Sequence, residues 1–225
     1  MTIFERALDL IRDGDTIGLG SGRASTAFVE ALGRRVGQGL KVRVVPTSRA
    51  SEANARRVGV PVVGLDAGMP LAVTVDGADE VDPGLNLIKG YGRALVREKI
   101  VAAASNKVVL LVGKEKLVEQ LGSRGRLPIE VVPFAAAFVQ SRLRALGLDS
   151  VLFQKDGRPF LSDNGNTILD ARLGPIGDAP ALEAALRAIP GVVGTGLFLG
   201  MADVVLVGDE TAGFEFLEER TRNRR

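Results

Sequence analysis

The sequence predicts an α/β protein: a parallel sheet covered by helices on both faces, joined to a smaller α+β domain. Three observations predict this. Short apolar runs alternate with amphipathic segments through the first half of the chain, the order that makes a parallel two-sided sheet. From residue 127 the order changes to strand, helix, two strands, helix, strand, which suits a small antiparallel α+β domain. An apolar run at 201–208 then resumes the buried-strand pattern, so the chain returns to its first domain.

Taken in order, residues 3–11 place Ile3, Ala7, Leu8, Leu10 and Ile11 at helical spacing, and Asp13-Gly14-Asp15 ends that helix. Residues 16–19 read as a strand, followed by the glycine-rich loop 18–26 and a helix at 24–32. The next pair is a strand at 41–45 and a helix at 51–58; residues 61–64 return to strand. A buried strand at 71–75 leads into an acidic stretch, then a helix at 94–105 and a buried strand at 107–112. Residues 115–121 read as a short helix ended by Gly122. Beyond it come a strand at 127–132, a long amphipathic helix at 134–146, and two strands around Asp156-Gly157, a hairpin turn signal. A strand at 167–173, a helix at 180–189 and a strand at 192–199 complete the smaller domain. The fold class is therefore a Rossmann-like parallel-sheet domain, residues 1–126 plus 200–225, with a ferredoxin-like α+β domain, residues 127–199, inserted near the C-terminus. In such sheets the loops after the strands line one edge and bind ligands.

Composition removes whole classes of chemistry. The 225 residues contain no histidine and no cysteine, so a Ser-His-Asp or Cys-His triad is impossible, as is zinc held by those side chains. Any general acid or base must be Asp, Glu, Lys or the single Tyr91. Net charge is only +2, and the sequence pI near 9.1 reflects the missing histidines and the arginines of the tail, Arg220, Arg222, Arg224 and Arg225. That tail reads as solvated and frayed, not as a nucleic-acid arm. At 4% aromatic residues with no tryptophan, a stacking platform for single strands is not expected. No apolar run approaches the roughly 20 residues of a membrane span. The N-terminal segment is charged and amphipathic, unlike a signal peptide, and the lack of cysteine suits the cytoplasm.

The stretch 75–98 concentrates the candidate groups: Asp76, Asp79, Glu80 and Asp82, then Lys89, Gly90, Tyr91 and Gly92, then Glu98. Read alone, the acids are either a solvated turn before Asp82-Pro83-Gly84 or carboxylates gathered for chemistry or a hard metal. Their spacing matches no calcium loop, and Lys89 brings competing positive charge. The Gly90-Tyr91-Gly92 segment is either a plain turn or a nest of N–H groups for an oxyanion. Glu98, flanked by Arg97 and Lys99, reads by itself as a surface residue. The loop Gly18-Leu-Gly-Ser-Gly is either an ordinary strand-to-helix turn or a phosphate cradle. It meets neither the full G-x-G-x-x-G signature nor a Walker motif. Thr47-Ser48 occupies the matching loop after the next strand.

Together these residues resemble the signature of type A ribose-5-phosphate isomerases. The resemblance covers D-G-A-D-E-V-D-P-G-L-N-L-I-K-G-Y-G-R-A-L-V-R-E-K-I-V, T-S at 47–48, L-P-I-E-V-V-P-F at 127–134, D-N-G-N-T-I-L-D at 163–170, P-G-V-V-G-T-G-L-F at 190–198 and A-D-V-V-L-V-G at 202–208. It implies interconversion of D-ribose 5-phosphate and D-ribulose 5-phosphate without a metal or organic cofactor. It makes Glu98 the base, acting through a cis-enediolate, with Asp76 and Asp79 on sugar hydroxyls and Gly77 and Ala78 beside them. Lys89 and the amides of Gly90, Tyr91 and Gly92 would stabilise the developing oxyanion; Lys116 and the loop Ser21, Gly22, Arg23, Ala24 would hold the substrate and its phosphate. Two departures stand out. The family's T-G-S-T reads Ser21-Gly22-Arg23-Ala24, so either Arg23 meets the phosphate or Ser25 and Thr26 replace the lost hydroxyls. The family's K-G-G-G reads Lys89-Gly90-Tyr91-Gly92, so Tyr91 must tolerate a glycine turn. The family also implies a homo-oligomer, dimer or tetramer. The rival reading is a non-catalytic sugar-phosphate sensor on a related fold; it would carry a DNA-binding helix-turn-helix, for which the segment before Asp13 leaves no room, and would not need Glu98.

Overall fold

The computed structural model describes residues 1–222, which form two compact units. The first comprises Met1–Ala78, Arg97–Leu117 and the described residues from Met201 on; the second comprises Asp79–Val96 and Val118–Gly200.

The first unit is built on a six-stranded sheet. Its strands stand in the order Glu215–Thr221, Val204–Asp209, Val108–Gly113, Val73–Asp76, Thr16–Leu19, Arg43–Pro46. All pairs are parallel except the outermost, Val204–Asp209 with Glu215–Thr221. The four strands at the heart of the sheet are almost wholly buried, as apolar runs covered on both faces should be. Ile17, Leu19, Phe28, Leu32, Val75, Val109 and Leu206 share one core with the first helix, Ile3–Leu8. That helix opens on a reciprocal cap between Thr2 and Glu5 and stops at Leu8, short of the expected Ile11. The loops after the strands Thr16–Leu19 and Arg43–Pro46 run directly into the helices Arg23–Gly37 and Arg49–Arg57.

The second unit holds a four-stranded antiparallel sheet in the order Val192–Thr195, Arg126–Val131, Thr167–Arg172, Ser150–Leu152. Helices Ala136–Ala145 and Ala179–Arg187 follow the strands Arg126–Val131 and Thr167–Arg172, the expected ferredoxin-like connectivity. Ile129, Val131, Val139, Leu143, Leu169 and Leu186 form its core. A three-stranded sheet adds Glu80–Val81, Leu87–Ile88 and Leu197–Phe198. Asp156 and Gly157 both take positive φ, 53° and 74°, between the paired strands Gln154–Lys155 and Arg158–Pro159, so the hairpin turn is present as expected.

Besides the first helix, four elements differ from expectation. Residues 115–121 form no α-helix beyond the single 3₁₀ turn Lys114–Lys116, because the Val118 N–H donates to the Val81 carbonyl instead. Residues 61–64 are reduced to one bridge, Val62 with Val44. The expected strand 192–199 breaks at Gly196, where the backbone passes so close to the Lys89 carbonyl that a Cβ would collide with it. The tail is not frayed at Arg220, which lies in the strand Glu215–Thr221, and the Arg222 Nε donates to the Ala202 carbonyl. Arg224 and Arg225 lie outside the described residues.

Candidate active site

In the first unit the glycine loop, the second hydroxyl loop and Asp76 meet at the ends of three adjacent strands. Asp76 ends the strand Val73–Asp76 and is buried. Its Oδ1 accepts from the Ser21 N–H at 3.2 Å, the Gly77 N–H at 2.7 Å and the Ser25 hydroxyl at 3.3 Å. Gly20 makes this approach possible, since a Cβ there would collide with the Asp76 carboxylate. Ser21 Oγ hydrogen-bonds Thr47 Oγ1 and donates to Ser48 Oγ, each at 2.8 Å. Ser48 also caps the helix Arg49–Arg57 through Ser51, so it serves both loops. Thr26 Oγ1 accepts from Asn54 at 3.4 Å.

The helix Arg23–Gly37 begins differently. Its N-cap is Gly22, at φ 99°, and no side chain caps it. First-turn N–H groups left without a side-chain acceptor make a helix N-terminus receptive to an anion. A small depression lined by Gly20, Ser21, Gly22, Thr26, Ser48 and Asn54 lies in front of it. Ala24 sits in the helix's first turn, while the Arg23 guanidinium is mostly exposed and pairs with Glu210 at 2.5 Å. Thr47 and Ser48, the hydroxyl pair noted after the second strand, join this cluster, and Asn54, for which the sequence held no signal, completes it.

Glu98 also belongs to the first unit, in the first turn of the helix Leu95–Ala103, and is only 3% exposed. A glutamate between Arg97 and Lys99 is expected at a helix surface; this one is buried instead. Lys116 ends the 3₁₀ turn after the strand Val108–Gly113.

In the second unit Asp79 Oδ2 accepts from the Tyr91 N–H at 2.9 Å. Lys89 is buried, its N–H donates to the Gly196 carbonyl, and its Nζ stands 5.5 Å from the Phe198 ring centroid. Burying a lysine is costly and common only where the charge is used or balanced. Gly90, at φ 104°, is buried; Gly92 is exposed. Tyr91 carries no strain, against the expectation from sequence. The turn places its left-handed corners at Gly90 and at Arg93, φ 68°, leaving Tyr91 an ordinary conformation. The Tyr91 hydroxyl donates to the Arg126 carbonyl at 3.1 Å, and the Arg126 guanidinium lies 3.9 Å from its ring centroid. Burial, reinforced by the Glu80 charge, holds the phenol above its ordinary range.

The four neighbouring acids therefore divide. Glu80, fully buried, accepts from the N–H groups of Gly122 at 2.6 Å and Arg124 at 2.9 Å, and so braces a loop. Asp82 accepts from the backbone and side chain of Asn86, as a turn residue does. Asp76 and Asp79 remain as candidates for chemistry. Among the described residues, no three Asp or Glu side chains converge as a group able to hold a metal ion.

Comparison with known proteins adds an independent line. Residues 43–212 match the family model described as ribose 5-phosphate isomerase A (phosphoriboisomerase A). A relative named ribose-5-phosphate isomerase A, from Bradyrhizobium diazoefficiens, is 50% identical, covering 96% of this chain and 93% of its own. The solved ribose 5-phosphate isomerase A of Methanocaldococcus jannaschii is 36% identical with a TM-score of 0.90, covering 98% of this chain and 96% of its own. A solved D-ribose-5-phosphate isomerase in complex with phospho-erythronic acid is likewise 36% identical, with a TM-score of 0.92, covering 97% of this chain and 96% of its own.

Proposed function

The chain belongs to the ribose 5-phosphate isomerase A family, and from that premise we propose that it interconverts D-ribose 5-phosphate and D-ribulose 5-phosphate. The burial of Glu98 carries the proposal: it sets this glutamate apart from the solvated residue its neighbours suggest. A carboxylate taken out of water and aimed at a carbon-bound proton is a suitable base for aldose–ketose isomerisation, as in triosephosphate isomerase, the standard worked example.

In the proposed reaction the sugar ring opens, with Asp76 and Asp79 taking and returning hydroxyl protons. Glu98 removes the proton from C2 of the aldose, and the electron pair moves into a C1–C2 double bond as the carbonyl oxygen at C1 becomes negative. Lys89 and the amides of residues 90–92 stabilise that oxygen in the cis-enediolate. Glu98 then returns the proton to C1, while Asp76 or Asp79 takes the C2 hydroxyl proton and the C1 oxygen regains one, leaving a carbonyl at C2 and a hydroxyl at C1, the ketose. The uncapped start of the helix Arg23–Gly37, with Ser21, Ser25 and Thr26, takes the phosphate, and Lys116 adds charge. A phosphorylated sugar acid in a relative with a TM-score of 0.92 supports a sugar phosphate as ligand. We assign no metal or organic cofactor to the reaction. By function, residues 1–126 plus 200–225 are the catalytic domain, since every group named above lies there, and 127–199 the smaller one.

The test is ribulose 5-phosphate formation by protein purified with EDTA. Turnover is expected; none, even with metal restored, defeats the isomerase reading, and turnover abolished by chelator defeats the metal-free mechanism. Glu98→Gln is expected to lower kcat by at least about 10²-fold with KM little changed, as for loss of a general base. Near-normal turnover would move the base to Asp76 or Asp79. The reading extends to a cytoplasmic homo-oligomer, a dimer or tetramer. Light scattering is expected to give at least twice the 23.7 kDa of one chain.

A further inference from the structure

Two side chains of the turn after Lys89 have no part in the proposed chemistry, yet both are committed. Arg93 takes φ 68°, a left-handed conformation that disfavours any residue with a Cβ. Its N–H closes the turn on the Gly90 carbonyl at 2.9 Å. Its guanidinium is 7% exposed and forks onto Asp170, Nη1 to Oδ1 at 2.5 Å and Nη2 to Oδ2 at 2.9 Å. The same guanidinium lies 3.6 Å from the Phe153 ring centroid. Asp170 is a rigid anchor. It sits in the strand Thr167–Arg172, hydrogen-bonded between Arg126–Val131 on one side and Ser150–Leu152 on the other. Two residues earlier in the turn, Tyr91 is tied to the first of those flanking strands through Arg126. Between these moorings the Tyr91 N–H is delivered to Asp79.

We propose that Arg93, gripped by Asp170, is a positioning residue: it locks the left-handed corner of the turn and thereby fixes the Lys89 backbone and the Tyr91 amide that orients Asp79. Only an arginine fork fits this role, because it matches a carboxylate at two points and resists rotation, which a lysine ammonium cannot do. What the corner serves rests on the isomerase reading, in which Lys89 and Asp79 act on the substrate. Small misplacements of such groups cost rate even when binding survives.

The test separates positioning from simple stabilisation. Arg93→Gly relieves the left-handed strain but leaves the partly buried Asp170 only its longer pairing with Arg126, at 3.8 Å, so its urea midpoint should fall. The double variant Arg93→Gly/Asp170→Asn removes that poorly paired charge and should recover most of that midpoint. Its kcat should nevertheless stay about tenfold below wild type, with KM within about twofold. Its single tyrosine, followed at 295 nm, should titrate closer to its ordinary pKa of about 10 as the turn loosens. Arg93→Lys should fall between wild type and the double variant. In the folded double variant, a wild-type kcat or an unmoved tyrosine titration overturns the proposal. If the wild-type protein does not turn over ribose 5-phosphate, the isomerase reading falls by itself, and the tyrosine titration still decides whether Arg93 sets the turn.

Discussion

Tyr91 is the chain's one tyrosine, and with no tryptophan present its ionisation can be read without interference. Burial first, then the Glu80 charge, raise its pKa; the Arg126 charge opposes them, and the Asp79 charge adds a smaller rise. Since the neutral phenol is the favoured folded form, the stability it contributes is complete below the unfolded value of about 10. It is lost as pH climbs through the higher folded value. A titration at 295 nm is therefore expected to show one transition above pH 10 in native protein and a return to about 10 in urea. A native midpoint at or below the denatured one would mean that the ring is not buried beside Glu80. The residue scale is also where sequence was least informative. Nothing local distinguishes Glu98 from a surface glutamate, or Glu80 from its acidic neighbours. Their roles come from distant groups: Glu80 meets amides more than forty positions along the chain.

Elements were legible where local chemistry decides them. Asp156-Gly157 demanded positive φ at both positions and received it. The apolar runs 16–19 and 107–112 reappear as buried strands within one residue of expectation. Elements chosen by distant partners were not legible. The segment Glu215–Thr221 is polar and mostly exposed, and becomes a strand only because Val204–Asp209 offers it an edge. Residues 115–121 have helical spacing but yield to the carbonyl of Val81. Glu80 works at this scale as well, since it satisfies two loop amides that would otherwise be stranded. Glu80→Ala is expected to cost about 2–3 kcal/mol in urea unfolding, the range for charged hydrogen bonds to buried donors. Its kcat should hold within about threefold where the protein is still folded. A large fall in kcat at unchanged stability would return Glu80 to the list of catalytic groups.

At the scale of the whole molecule, the proposed functional division and the packing division do not coincide. The chain passes between the two compact units at 78/79, 96/97, 117/118 and 200/201. The segment Asp79–Val96 carries Asp79 and Lys89 but packs with the second unit. Its Ile88 is fully buried in that unit's core, as is Leu121, with Tyr91 and Val118 packed against them. Among the described residues, the strand Leu197–Phe198 pairs only with Leu87–Ile88. A fragment of residues 127–199 keeps nearly the whole four-stranded sheet but loses these partners. Each large buried aliphatic side chain removed costs about 2–5 kcal/mol. Total stabilities of small domains are about 5–15 kcal/mol, so losing two such residues takes up most of what a short fragment has. That fragment is expected to show no cooperative thermal transition by circular dichroism. Residues 118–200 with 79–96 joined by a flexible linker should show one. A sharp transition in 127–199 alone would mean that the antiparallel sheet folds independently, and that 79–96 docks onto a finished surface instead of completing a core.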